Sequence, residues 1–375
     1  MNPFVMSLKS IAKGLLPYLV VERYRKNHPR DRFEDGFGRW LKTAGKGSFD
    51  KEPLFDTIVS VQGFGYSGSG AIIDFLREVP SVKVLGYVDK ADEGGVFVPD
   101  SMKLSEIDII RLAGGLFEIE KYLDSDNYFL NDALLNRTTR LFFQSELYGY
   151  SDRMRELMYR FFASITSVRM DNLSQVYYNT HTVTDTTVPN SIYFLKKMSK
   201  DEYVTLCRDF LTSVFNMFAD KETRILACDQ LFSDGENNML RNREYVPNLK
   251  TIFVVRDPRD TYVWAVERNI EWMAHDTVDQ FIEWYRIIYR NVCGQSTDDC
   301  LVIRYENLVR DYDTEEKRIR EFLGLKDGEH SLRRQYFNPD YSSRFVGISK
   351  ERTDLKDDLM RIGRELSEYC NPLID

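Results

Sequence analysis

No run of about 18 consecutive apolar residues occurs in this chain of 375, so no membrane-spanning helix is expected. The five cysteines (Cys207, Cys228, Cys293, Cys300 and Cys370) are odd in number and scattered, with no Cys-x-x-Cys pair. That argues against a zinc knuckle or a disulfide framework and fits a reducing cytoplasm. An excess of basic charge is also missing. Lys and Arg number 51 against 59 Asp and Glu, a formal net charge of -8, which disfavours general nucleic-acid binding. No secretory leader is evident, because Lys9 and Lys13 break the first apolar stretch. No repeat is found within residues 124–222, and no metal-ligand spacing is present, so no metal is expected.

What is present suits a large α/β protein. The length and a hydrophobic fraction of 43% allow one large domain or two small ones with ample core. The chain is organised around TIVSVQGFGYSGSGAIIDFL, Thr57 to Leu76. Thr57 to Gln62 reads as a short buried strand. Gly63, Gly65, Gly68 and Gly70 follow within eight positions, and Ala71, Ile72, Ile73, Phe75 and Leu76 have the spacing of a packed helix. Glycines allow close backbone approach to a ligand, and a helix N-terminus offers free N–H groups to a phosphate. Ser67 and Ser69 add hydroxyls. A plain turn between buried elements is the alternative. The loop is not a Walker A loop, since Ser69 and Gly70 stand where that motif needs Lys and Ser/Thr.

Residues 1–50 form a separate N-terminal unit and residues 51–375 the α/β domain. Phe4, Leu8, Ile11, Leu15, Leu19 and Val20 recur near helical spacing, followed by Arg23, Arg25, Lys26, Arg30 and Arg32. Such a basic amphipathic helix suits either the inner face of a membrane, as a peripheral contact, or docking on protein. Gly36 to Ser48 reads as a linker and Ile107 to Leu123 as a helix. Residues 124–222, rich in aromatics and charge, read as an acceptor-side helical cap with His181 in a surface loop.

Strand signals return at Arg224 to Asp229, Leu249 to Val255 and Cys300 to Tyr305. Asp257 and Pro258 read as the start of a helix, with Asp260 at the acidic place of a capping box. Asp313 with Glu316 reads as a second capping box, opening a helix closed by Gly324. Alternating strands and helices imply a mostly parallel central sheet flanked by helices, with ligands outside the carboxyl ends of the strands. The glycine loop, Asp229, Arg256 and Tyr305 all fall at such ends.

Three blocks carry a family resemblance: GFGYSGSGAIIDFL from Gly63, FVVRDPRDTYVWAVER from Phe253 and LVIRYENLVRDYDTEEKRIREFLGL from Leu301. In these, and in their order, the chain resembles the sulfotransferases that use 3′-phosphoadenosine-5′-phosphosulfate (PAPS). The resemblance implies a P-loop-like α/β domain and transfer of a sulfuryl group to a hydroxyl. It implies that Gly65, Tyr66, Ser67, Gly68, Ser69, Gly70 and Ala71 form the loop holding the 5′-phosphate, that Arg256 pairs with the 3′-phosphate, and that Tyr305 lies near the nucleotide. Arg304 and Glu306 brace the fold.

The chain departs from the pattern in two places. Tyr66 stands where the family has a loop cation, so either another cation reaches in (Lys350, Arg352 and Arg344 are candidates) or turnover is slow. Trp264 stands where a serine contacts the 3′-phosphate, so that site is rebuilt, with residues 342–352 as candidates. The proton acceptor is open between Asp229, at the end of the strand before the Arg-Asp-Pro strand, Glu93 after the loop helix, and His181. The acceptor expected from the aromatic content is a carbohydrate or glycolipid hydroxyl. A P-loop kinase or nucleotide hydrolase, with Asp229 on Mg²⁺, and a nucleotide-binding relative with weak catalysis are the alternatives.

Overall fold

In the computed structural model, residues 47–63, 65–85, 120, 123, 151–171, 191–229, 231, 243–246, 248–273, 276–289 and 297–374 are described. In chain order the elements begin with β1 (Thr57–Gln62), α1 (Ser69–Arg77), β2 (Val82–Val84), α2 (Asp152–Ile165), β3 (Thr166–Asp171), β4 (Ser191–Leu195) and α3 (Lys200–Asn216). They continue with β5 (Ile225–Asp229), β6 (Leu249–Val255), α4 (Pro258–Arg268), α5 (Val278–Tyr289), β7 (Cys300–Arg304), α6 (Tyr305–Arg310), α7 (Tyr312–Leu323), α8 (Pro339–Ser342) and α9 (Lys356–Glu365).

Five strands form one sheet in the order β2-β5-β1-β6-β7, and every neighbouring pair is parallel. β3 and β4 make a separate antiparallel pair. β1 is central, so the loop that follows it leaves the sheet between the ends of β5 and β6. The register places Val61 opposite Asp229 and Gln62 opposite Phe253. A strand sends alternate side chains to opposite faces, and the burial follows that period. Val59, Val61, Ala227, Ile252 and Val254 pack on one face with α1, α6 and α7. Ile58, Leu226, Cys228 and Leu249 pack on the other with α2 and α3. Phe253 and Val255 meet α4, α5 and α9. The result is a sheet buried on both faces, as parallel sheets require, with its polar groups concentrated at the carboxyl edge.

The N-terminal unit expected over residues 1–50 lies outside the described residues up to position 46, as does nearly all of the helix expected at 107–123. Within 124–222, α2 and α3 form a layer on the sheet; the segments expected to reach the acceptor fall mostly outside the described residues. Two capping boxes are corrected. Asp257 does cap α4, accepting from the Arg259 N–H at 2.9 Å, with Pro258 at the first turn. Asp260, however, is drawn across to a distant segment, accepting from the Gly347 and Ser349 N–H groups at 2.7 and 3.0 Å and from the Ser349 hydroxyl at 2.7 Å. At α7, Asp311 is the N-cap residue, Asp313 pairs with Arg333, and Glu316 pairs with Arg320 and His330. Gly324 ends that helix in the left-handed conformation as expected. Arg304 donates to the Tyr369 carbonyl at 2.8 Å, and buried Glu306 accepts from the Asp257 N–H at 2.9 Å, so both brace the fold.

Candidate active site

A cleft of about 710 Å³ opens where β1 meets α1. Tyr66, Ser67, Gly68, Ser69, Gly70 and Ala71 line one side, with Arg256, Trp264 and Tyr305 beside them. Gly68 has φ 94°, and a Cβ there would lie 2.3 Å from the Tyr305 ring, so only glycine lets the tyrosine close on the loop. A Cβ at Gly70 would meet nothing within 4 Å, because that position opens into the cleft. No side chain caps α1 and no acid stands in its first turn, which leaves its N-terminus suited to an anion.

Arg256 is buried, yet it makes no ion pair with Asp257 or Asp260. Asp257 is held by Arg259, with Nε–Oδ1 at 3.0 Å and Nη2–Oδ2 at 2.8 Å, and Asp260 by residues 347–349. The Arg256 guanidinium instead donates to the Tyr66 carbonyl at 3.2 Å and to the Phe345 carbonyl, and lies 4.8 Å over the Tyr305 ring. Its Nε is buried without an acceptor. A guanidinium carries five N–H groups, so two carbonyls leave most of them for another acceptor.

Two further buried donors of the cleft lining have no acceptor, the Ser67 hydroxyl and the Trp264 indole N–H. Leaving such a group unmet costs about 1–3 kcal/mol. Three unmet donors from three places around one cleft are what an anionic ligand would satisfy. Tyr66 itself is in the left-handed region at φ 57° and turns its ring onto Trp264, with centroids 5.7 Å apart and planes 9° apart. The two departures from the family pattern are therefore in contact with each other.

Asp229 stands at the end of β5, beside Ser69, and does not line the cleft directly. Burial pushes its carboxyl up to about 6, with the Ser69 hydroxyl pulling the other way. Its Oδ1 is buried and unpartnered. A carboxyl poised near neutrality, hydrogen-bonded to Ser69 of the glycine loop, has the properties of a general base. Glu93 and His181 lie outside the described residues.

Several expected contacts are placed elsewhere. Gly65 lies behind the loop, where a Cβ would come within 2.8 Å of Met273 and Trp284. Arg344 and Lys350 do not line the cleft. Arg344 lies over the Tyr341 ring at 3.4 Å, and Arg352 is committed to Glu267 and Asp354 at 2.9 and 2.7 Å. Besides Arg256, the described lining carries the cation Arg268, one helical turn beyond Trp264 and 5.1 Å from its ring. The sequence signal for it was the shared face of α4.

The opposite wall, Tyr336, Phe337, Asn338, Tyr341, Ser342 and Phe345, had no signal beyond the Asn338-Pro339 helix start. It is anchored by a buried cluster. His330 meets Glu78 at 2.7 Å and Glu316 at 3.0 Å, and Glu78 also accepts from the N–H groups of Tyr336 and Phe337 at 3.0 and 2.8 Å. Burial alone would push the Glu78 carboxyl up, but these bonds outweigh it and hold it below its usual range.

The chain is 29% identical over 98 residues to a Caenorhabditis elegans protein named as a candidate protein-tyrosine sulfotransferase, covering 25% of this chain and 38% of that one. It is 29% identical over 91 residues to a Caenorhabditis briggsae protein of the same description, covering 23% and 32%. The matches thus span about a third of those relatives' lengths. Among solved structures, the sulfotransferase domain from the Synechococcus PCC 7002 olefin synthase aligns at 12% identity and TM-score 0.37, over 87% of this chain and all of that one. Sulfotransferase STF9 from Mycobacterium avium aligns at 12% and 0.33, over 92% and 80%. Residues 151–329, a little under half of the chain, match the model described as the sulfotransferase family.

Proposed function

We propose that this chain transfers a sulfuryl group from PAPS to an acceptor hydroxyl, of a carbohydrate or glycolipid in the first instance. The observation that carries the donor reading is Arg256, a buried cation without a carboxylate partner among the described residues, facing the same cleft as the uncapped α1 N-terminus. Two cationic or N–H-rich sites in one cleft suit a nucleotide bearing two separate anions. The loop N–H groups and Ser67 would hold the 5′-phosphate, and Arg256 the 3′-phosphate.

In the transfer, the acceptor oxygen forms a bond to sulfur while the bond from sulfur to the phosphate oxygen breaks. The electron pair leaves on that oxygen, where the loop N–H groups stabilise it. The acceptor proton goes to the Asp229 carboxylate by way of the Ser69 hydroxyl, which lines the cleft and bonds to Asp229, and a pKa of about 6 leaves that carboxylate ionised and basic at neutral pH. A kinase reading leaves Arg256 without a task and lacks the loop lysine. A phenol is a second acceptor class, favoured by the names of the two nematode relatives. A peripheral membrane contact through the basic N-terminal segment remains part of the proposal.

The test is a calorimetric titration of wild type and Arg256→Ala with 3′-phosphoadenosine 5′-phosphate and with adenosine 5′-phosphosulfate. The variant should lose about 1.5–3 kcal/mol for the first and nothing for the second, which has no 3′-phosphate. Equal loss for both would mean that Arg256 supports the loop and not the ligand.

A further inference from the structure

Tyr66 and Trp264 are far apart in the chain and stand at the two places where the resembled family has a loop cation and a serine. We infer that they act as one unit: the Trp264 indole N–H is a donor to the second anion beside Arg256, and Tyr66 is the positioning residue that sets the indole. The inference rests on the nucleotide reading above and deepens it.

Four observations carry it. The indole Nε1 is buried and has no acceptor, although Trp264 lines the cleft. The indole is brought beside the Arg256 guanidinium by two independent bridges. Tyr66 accepts from Arg256 with its carbonyl and stacks on Trp264 with its ring. Phe345 does the same, its carbonyl accepting from Arg256 and its ring centroid 5.8 Å from that of Trp264. The orientation of the indole is fixed by these rings together with the Arg268 guanidinium, 5.1 Å away. Finally, the charge that lines this end is of one sign, although buried Asp260 lies close enough to act on Tyr305. Arg256 and Arg268 both line it, while the one acid among the cleft-lining residues, Asp74, is on α1 and pairs with Arg77 at 3.2 Å. An unmet N–H on a ring that lies against the Arg268 guanidinium and shares two neighbours with Arg256 is a site for an anionic oxygen, and an indole N–H can only donate.

The arrangement also accounts for Tyr66 in a left-handed backbone position, which a tyrosine adopts only when its surroundings hold it there. Its ring is turned onto Trp264, so the residue is a support for the anion site and not a neutral substitute for the loop cation.

The experiment uses the full chain, titrated with 3′-phosphoadenosine 5′-phosphate and with adenosine 5′-monophosphate. Trp264→Phe keeps a ring in the stack and removes only the N–H. It should weaken the bisphosphate by about 10-fold or more, the equivalent of one hydrogen bond to a charged group, and the monophosphate by less than about 2-fold. Tyr66→Phe should bind as wild type does, and Tyr66→Ala should lose affinity for the bisphosphate alone. In protein labelled with ¹⁵N at the indoles of its four tryptophans, the resonance missing from Trp264→Phe should move downfield with the bisphosphate and stay in place with the monophosphate. Unchanged affinity in Trp264→Phe, or an indole resonance that ignores the bisphosphate, overturns the inference while leaving the nucleotide reading intact. If wild type binds neither nucleotide, both are overturned together.

Discussion

Asp229→Asn should make the protein more stable and almost inactive. The Asp229 carboxyl sits at about 6 instead of 3.8, because burial penalises its charge more than the Ser69 hydroxyl rewards it. A difference of that size corresponds to about 3 kcal/mol. The sign follows from proton binding. Between 3.8 and about 6 the native state holds the proton more tightly than the unfolded chain, so stability falls as pH rises through that window. At pH 7 the native protein therefore carries the full penalty of a buried charge, and at pH below 3.8 it carries none. The asparagine variant has no charge to bury. It should be more stable than wild type by about 1–3 kcal/mol at pH 7, part of the gain going to the amide's own unmet donors, and the difference should vanish toward pH 3.5.

Turnover should move the opposite way. Loss of a general base costs about 10²–10⁴-fold, with nucleotide affinity nearly intact because Asp229 does not line the cleft. In wild type, kcat/KM should rise about tenfold between pH 5 and 7 as the carboxyl ionises, and the variant should lack that limb. Urea denaturation at pH 7 and pH 4, with labelled-sulfate transfer across pH 5–8, measures both. A variant that is less stable than wild type at pH 7, or one that retains full turnover, would refute the reasoning and move the base to Glu93.

Gly68→Ala forces a side chain into φ 94° with its Cβ 2.3 Å from Tyr305. Strain and displacement of the ring should together cost about 2–4 kcal/mol in chemical denaturation, and an unperturbed transition would mean that the loop relaxes freely. Deleting residues 1–30 should reduce co-sedimentation with anionic liposomes while leaving transfer to a soluble acceptor intact, and equal sedimentation would remove the membrane contact.

Much of this fold was legible because its strands are short, apolar and bounded. Thr57–Gln62 and Leu249–Val255 match the expected ranges, and Ile225–Asp229 and Cys300–Arg304 differ by one residue at an end. A parallel sheet buried on both faces writes itself as such runs. The loop side of the cleft was legible for the same reason, since the loop, Arg256 and Tyr305 follow directly from strand ends. The far wall was not. Tyr336, Phe337, Tyr341 and Phe345 reach the cleft through the His330–Glu78 anchor and the Asp260 bonds to residues 347–349, contacts between segments far apart in sequence. The capping boxes failed for a related reason: Asp260 and Glu316 have the local spacing of caps, but Asp260 is taken by residues 347–349 and Glu316 by Arg320 and His330. Arg268 carried no motif of its own: only its place four residues beyond Trp264 on α4 brings it to the cleft.

The central claim, a cleft built for a nucleotide with two separate anions, is tested most directly by titrating the wild-type chain with 3′-phosphoadenosine 5′-phosphate beside ATP, each with and without Mg²⁺. The account predicts binding of the bisphosphate that is at least about tenfold tighter than that of ATP and indifferent to Mg²⁺. Preference for ATP that depends on Mg²⁺ would contradict it.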